Sequence, residues 1–384
     1  MTLKLGSLFS GSGGFELAGA LHGIEPVWAS EIEKYPVAVT TARFPNMKHL
    51  GSILEINGAE IEPVDIITGG SPCQDLSVAG GRDGLVDGGR SNLFFEMIRV
   101  IKEMRIATNG LYPRIVLWEN VPGAFSSNKG KDFQRVIEEF CNVADDTVSI
   151  PEPPKGKWLN AGQVVGDGYS IAWRTFDAQY WGVPQRRKRI YLIADFASEC
   201  ASEIFSEQEG VRWDREKAYK KGQQFIANPF NAPAIEERYA SGDATWWNGR
   251  DVSQCLDRVL YKKQALPEKD RFPAVLVPAW EKCAMCDDFI CNLHGCHVYE
   301  CDCPDTDDWC ANDLWPYDPM VLRYITPLEC CRLQGLPDWW LDGVDGSDSA
   351  KYKMLGNGIA MPNTIYVVGC AVRLLQEGKH ENEG

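Results

Sequence analysis

Apolar and polar positions follow two rhythms over the first half of the chain. Short apolar runs, each closed by glycine, proline or charge, predict strands over residues 3–9, 27–32, 64–70, 114–118, 170–176 and 189–195. Helical spacing fills the gaps. A segment after Gly11-Ser12-Gly13-Gly14 runs to Leu21, and Leu93, Met97, Val100, Ile101 and Met104 recur on one helical face. Strands alternating with helices predict an α/β fold with a doubly wound, mostly parallel sheet.

Beyond residue 199 the rhythm stops. Asn228-Pro229, Trp246-Trp247, Pro267, Pro273 and Pro278 punctuate a polar stretch without a clear period. Order returns with Thr326-Pro327-Leu328-Glu329, a helix start with proline in its first turn. Residues 354–362 read as a glycine-rich turn and 363–375 as a final helix. The pattern divides the chain into a first domain over 1–199, a smaller irregular one over 200–322, and a return segment over 323–384 that completes the first.

Composition changes this picture in three places. No apolar stretch spans a bilayer, and the N-terminus lacks a signal-peptide pattern, so a cytoplasmic protein without membrane contact is expected, in a bacterial cell or phage-infected host. The net charge of −15 argues mildly against a nucleic-acid partner. Only a binding face has to be positive, however, and Arg186, Arg187, Lys188 and Arg189 form one tight basic cluster where a loop enters a strand. Seven of the fourteen cysteines fall between Cys283 and Cys310, a density that in a reducing compartment points to metal before disulfides.

Four features end predicted parallel strands and should share the ligand-binding edge of the sheet: the loop Phe9-Ser10-Gly11-Ser12-Gly13-Gly14, Glu31, Pro72-Cys73-Gln74, and Glu119-Asn120. Glycines let a ligand approach the backbone. Glu31 lies twenty residues past Gly11, where an acid can bind ribose hydroxyls. A Gly-x-Gly-x-x-Gly fingerprint fails, because Glu16 occupies the third glycine position. A nucleoside cofactor without phosphates fits better, and S-adenosylmethionine is the obvious candidate. Cys73 is displayed at a strand end by a proline turn, as a nucleophile would be. A lone cysteine is also a common core residue, and a strand-end carboxylate such as Glu119 can simply cap a turn; each segment alone leaves both readings open. Together they make a nucleophile and an acid. Methylating a pyrimidine carbon needs that pair: a thiolate adds at C6 while a carboxyl group hydrogen-bonds N3.

These segments, in this order, resemble the DNA cytosine-5 methyltransferase family of bacterial or phage type. Phe9 through Gly14 resembles its first cofactor motif, Glu31 with Ile32 its ribose-binding acid, and Gly70-Ser71-Pro72-Cys73-Gln74 its catalytic loop. Asn92-Leu93-Phe94-Phe95 resembles the segment whose leucine touches adenine. Glu119-Asn120-Val121 is its Glu-Asn-Val, and Gln185 through Arg189 its Gln-Arg-Arg-x-Arg. Arg323 through Gly335 resembles the motif supporting the second domain. Gly356-Asn357-Gly358-Ile359 resembles the last motif, which folds back on the cofactor site, with Asn357 and Gly358 at the cofactor. The resemblance implies a Rossmann-like methyltransferase domain and a target-recognition domain over 200–322. It implies that Cys73 attacks C6 of a cytosine flipped out of double-stranded DNA and that Glu119 holds N3 and the exocyclic amine. It also implies that Arg187 holds O2, that Arg189 supports the closed catalytic loop, and that S-adenosylmethionine donates the methyl group. Where the family usually reads Gly-Asp-Ile at the adenine, this chain reads Gly51-Ser52-Ile53.

Nine potential metal ligands lie between 283 and 310: Cys283, Cys286, Cys291, His294, Cys296, His297, Cys301, Cys303 and Cys310. Their spacings suit tetrahedral zinc, at one site with spares or at two, and the best single set is Cys291, His294, Cys301 and Cys303. The family pattern does not require this metal; a structural zinc would build the recognition fold. The leading expectation is therefore a monomeric DNA cytosine-5 methyltransferase, with a cognate restriction endonuclease as a candidate partner. An RNA cytosine-5 methyltransferase and a catalytically silent, zinc-dependent DNA-binding protein are the alternatives. Amino-methylating DNA enzymes are disfavoured, since no Asp/Asn-Pro-Pro-aromatic tetrapeptide occurs.

Overall fold

The computed structural model describes residues 2–72, 93–205, 274–278, 280–282, 289–291 and 320–380. The first unit opens with β1 (Lys4–Leu8), α1 (Gly14–Leu21), β2 (Glu25–Ser30), α2 (Lys34–Arg43), β3 (Lys48–His49) and β4 (Ile66–Gly69). It continues with α3 (Leu93–Ala107), β5 (Ile115–Asn120), α4 (Lys131–Cys141), β6 (Ala161–Gly166), β7 (Tyr169–Asp177) and β8 (Lys188–Asp195). All eight strands join one sheet in the order β3-β2-β1-β4-β5-β8-β7-β6.

Burial on both faces explains why the strands read as apolar runs. Leu5, Ile66, Ile115 and Leu117 face one layer, which α1 and the return segment cover. Leu8, Ile67, Val116 and Trp118 face the other. There α3 contributes Met97, Val100, Ile101 and Met104 as its sequence spacing predicts, with Phe94 buried where Leu93 is only partly so, and α4 adds Phe133, Ile137 and Phe140.

The parallel expectation holds for one half only. β3, β2, β1, β4 and β5 pair in parallel, whereas β5–β8, β8–β7 and β7–β6 are antiparallel. Chain length is the reason. Only ten residues separate β7 from β8, too few for a parallel crossover. β6 and β7 are joined by Asp167-Gly168, with Gly168 at φ 71°, a hairpin signal that the pattern of apolar runs passes over.

The return segment forms α5 (Pro327–Gln334), α6 (Asp348–Asn357) and α7 (Met361–His380). Thr326 Oγ1 accepts from Glu329 N (3.2 Å) and the Glu329 carboxylate accepts from Thr326 N (2.6 Å), a reciprocal cap on α5. Residues 354–357, expected in a turn, are instead the last turn of α6, where Met354 and Leu355 join the core. The first unit also runs past residue 199: Ala201 and Phe205 are buried in the same core, and Arg174 Nη1 donates to the Phe205 carbonyl (2.6 Å). Of the expected irregular domain, four strands are described: β9 (Ala274–Pro278), β10 (Trp280–Lys282), β11 (Phe289–Cys291) and β12 (Met320–Tyr324). They pair as two antiparallel ladders, β9 with β12 and β10 with β11.

Candidate active site

The carboxyl ends of β1, β2, β4 and β5 lie side by side. After β1 the chain turns left-handed at Phe9 (φ 58°), Gly11 (φ 55°) and Gly13 (φ 80°). Glu31, at the end of β2, ties this loop down: one carboxylate oxygen accepts from Gly11 N (2.8 Å), the other from Ile32 N (2.8 Å) and Glu33 N (2.9 Å). A carboxylate has about four acceptor positions. Three are used here, which leaves capacity for a hydroxyl.

The three glycines differ. A Cβ at Gly11 would meet only the Phe9 carbonyl, at 3.8 Å, so this glycine is open to a ligand. A Cβ at Gly13 would strike Thr40 (2.7 Å), and one at Gly14 would strike Ile359 (2.6 Å). Gly13 and Gly14 are packed tightly against α2 and the return segment. Ser10 is buried, and its hydroxyl donates to the carboxyl of Glu16 in α1. Ile32 is 71 % exposed, free to cover an aromatic base, and Leu93 is half-buried at the start of α3. Ser52 is occupied locally, its hydroxyl accepting from Leu54 N (3.3 Å), while Ile53 is buried in the core. Asn357 is exposed and Gly358 lies against Ser12, so the last motif does fold onto the glycine loop. The open Gly11, the Glu31 acceptor and the bare Ile32 side chain fit an adenosyl cofactor.

At β4 and β5 the arrangement changes from backbone ties to buried side chains. Ser71, just after β4, is anchored twice to the end of β5: Trp118 Nε1 donates to its hydroxyl (3.0 Å) and Asn120 Nδ2 to its carbonyl (3.0 Å). A Cβ at Gly70 would lie 3.2 Å from the Glu119 carboxylate. The strand end leading to Cys73 is therefore fixed against Glu119. Pro72 is exposed; Cys73 and Gln74 lie outside the described residues.

Glu119 is 8 % exposed and pairs with Arg189 Nε at 2.9 Å; the contact is ionic without hydrogen-bond alignment. Burial raises the proton affinity of Glu119, and the Arg189 and Arg187 charges only partly offset it. The structure sets the two arginines in different surroundings. Arg187 is 1 % exposed, with Nη2 on the carbonyls of Gly356 (3.3 Å) and Gly358, so it ties the return segment to β8. Arg189 is the arginine beside the carboxyl group.

Sequence reasoning missed several supports. Gln185 Nε2 donates to the Leu333 carbonyl (2.8 Å) and Gln334 Nε2 to that of Leu355 (2.6 Å). Tyr191, directly across the ladder from Glu119, shares a hydrogen bond with Thr364 (2.9 Å). Gln185 and Gln334 stand in the motifs quoted above, but their partners do not show there; Tyr191 and Thr364 carry no sequence signal beyond a hydroxyl among apolar residues. Among the metal candidates, Cys291 ends β11; the other eight lie outside the described residues. No group of three or more His, Cys, Asp or Glu side chains suited to a metal occurs among the described residues.

Fold and site together define an α/β protein built to bind a nucleoside cofactor beside a buried acid. The model of the C-5 cytosine-specific DNA methylase family matches residues 3–144 and 159–371, and the chain belongs to that family, whose methyltransferases use S-adenosylmethionine. The chain is 31 % identical to a DNA N-6-adenine-methyltransferase of Escherichia phage P1, over 61 % of this chain and 34 % of that protein. It is 25 % identical to the type II methyltransferase M.NgoPII of Neisseria gonorrhoeae, over 97 % and 95 % of the two chains. The Dnmt2 methyltransferase of S. pombe shares the fold, with a TM-score of 0.58 at 17 % identity over 97 % and 99 % of the chains. The chain spans less than half the length of several curated relatives it matches.

Proposed function

We propose that this chain transfers a methyl group from S-adenosylmethionine to C5 of a cytosine in double-stranded DNA, through a covalent Cys73–C6 adduct. The observation that carries the reading is the buried Glu119 carboxyl, raised in proton affinity, held against the base of the Pro72-Cys73 loop and flanked by Arg189. A carboxyl group that keeps its proton can donate to cytosine N3 while the thiolate adds at C6. Arg189 is then the group beside O2, and Arg187 positions the return segment. Cytosine is flipped out of the duplex to reach this edge. The cofactor supplies an electrophilic methyl group; Gly11, Glu31 and Ile32 orient it, and the Cys73 thiol is released once the C5 proton has left.

Residues 206–322 act as the target-recognition domain, with a structural zinc held by Cys291, His294, Cys301 and Cys303; ligand spacing supports this metal. The chain acts as a monomer in the cytoplasm and shields sites that a cognate restriction endonuclease would cut. The adenine activity in the phage P1 protein's name belongs to a longer chain, of which this one spans 34 %.

Bisulfite mapping of DNA from cells expressing the chain tests the reading. Cytosine methylation at one sequence context, absent with Cys73→Ser, is expected. Methylation confined to RNA, or retained by Cys73→Ser, would overturn it. Metal analysis of the purified chain should give at least one zinc, lost on chelation together with DNA affinity.

A further inference from the structure

We propose that Glu16 senses the charge of the methyl donor: a carboxyl group beneath the cofactor loop, it releases its proton when sulfonium-bearing S-adenosylmethionine docks and regains it when the uncharged thioether product replaces the donor. The inference rests on reading the Gly11–Glu31 corner as the S-adenosylmethionine site.

Glu16 stands in the first turn of α1 and is fully buried. One carboxyl oxygen accepts from Ser10, and the other has no hydrogen bond. Ser7 on β1 is close enough to be felt, yet its hydroxyl is not aligned as a partner. A buried carboxyl oxygen without a donor is costly, and a charged one more so, unless a positive charge is supplied.

None of the groups acting on Glu16 is a cation. β1 offers Ser7, the loop offers Ser10, and the end of β2 offers Glu31, a charge of the same sign. α7 runs beside α1, with Met361 near Gly14 and Gly369 against His22. Residues 361–369 carry no charged side chain; Tyr366 packs against Trp181 with the rings tilted at 49°, and His22, at the far end of α1, is held by the Ile365 carbonyl. Burial accordingly pushes Glu16 up to about 7.

The missing cation would arrive from above. Ser10, the partner of Glu16, belongs to the same loop as Gly11, the glycine open to a ligand. A positive charge nearby lowers a carboxyl pKa by roughly one unit or more. The coupling is reciprocal, so each unit is about tenfold in affinity for the cationic donor over a neutral ligand. The released proton goes to solvent and returns from it when the donor leaves.

Calorimetry of the full chain with S-adenosylmethionine and S-adenosylhomocysteine, in buffers of different ionisation enthalpy, tests this. The donor should release a fraction of a proton near neutrality, and its Kd should tighten by up to about tenfold from pH 6 to pH 8. The thioether should show neither effect beyond what its own amino group contributes. Glu16→Gln should lose the effect seen with the donor; the ligand's own amino group titrates alike with both chains, so the difference isolates Glu16. If that variant does not fold, carboxyl NMR of the glutamate-labelled chain decides: one buried resonance should become charged on adding the donor and stay protonated with the thioether. Donor binding with no Glu16-dependent proton, or a resonance moved equally by both ligands, overturns the inference alone. A donor that does not bind at any pH overturns the cofactor reading with it.

Discussion

Glu31 and Glu119 end two parallel strands of one sheet, yet their surroundings are opposite. Glu31 is partly exposed and receives three backbone N–H groups, which hold a carboxylate in place as an acceptor. Glu119 is buried, pairs with the Arg189 side chain at 2.9 Å, and still keeps its proton more readily than an ordinary glutamate. One corner is built to accept from a ribose, the other to donate to a base. The residue type is the same at both; burial and backbone donors decide which chemistry each performs.

Glu119→Gln should break the comparison most severely. The amide keeps the shape but not the acid, and kcat should fall by about 10²–10⁴ while cofactor affinity stays within about twofold. The pH profile gives the sign. Turnover depends on protonated Glu119, so it should decline as pH rises through the raised pKa, and this limb should vanish in the variant. Arg187→Met comes next. It removes a buried cation that holds two carbonyls and lowers the Glu119 pKa, so it should cost about 3 kcal/mol of stability in denaturant titrations. In the surviving folded fraction the basic limb should shift to higher pH.

Glu31→Gln should act only on the other corner. Losing a charged acceptor should weaken S-adenosylmethionine binding by about tenfold to a hundredfold, with kcat at saturation nearly unchanged. Equal losses in kcat and affinity would contradict the separation of the two corners. Ser71→Ala is the mildest: it strips the Trp118 indole of its acceptor and should cost about 1 kcal/mol by thermal unfolding, with a smaller fall in kcat from a looser Cys73 loop.

Much of this edge was legible in the chain because strand ends are marked by abrupt changes from apolar to glycine, proline or acid. Glu31, Glu119 and the Ser71-Pro72 turn were placed that way. Long-range supports were not, since Gln185 and Gln334 belong to legible motifs whose partners appear only when the return segment brings Leu333 and Leu355 beside them. The different surroundings of the two arginines are illegible for a related reason. Arg187 and Arg189 stand two residues apart in one basic cluster, and only the position of Gly356 and Gly358 shows that the first reaches the return segment. The antiparallel half of the sheet was missed although Asp167-Gly168 and the short β7–β8 connection announce it. Glu16, an acid in an otherwise apolar first turn, shows in the sequence only as the residue that breaks the glycine fingerprint.

The central claim is that Cys73 adds covalently to cytosine beside a protonated Glu119. Trapping on duplex DNA carrying 5-fluorocytosine at the mapped target tests it most directly, because the C5 fluorine cannot leave as a proton. In the presence of S-adenosylmethionine the wild-type chain should form a stable one-to-one covalent complex, Glu119→Gln should form it far more slowly, and Cys73→Ser should form none. Efficient methylation of the ordinary target without any trapped complex on the fluorinated one would contradict the covalent account.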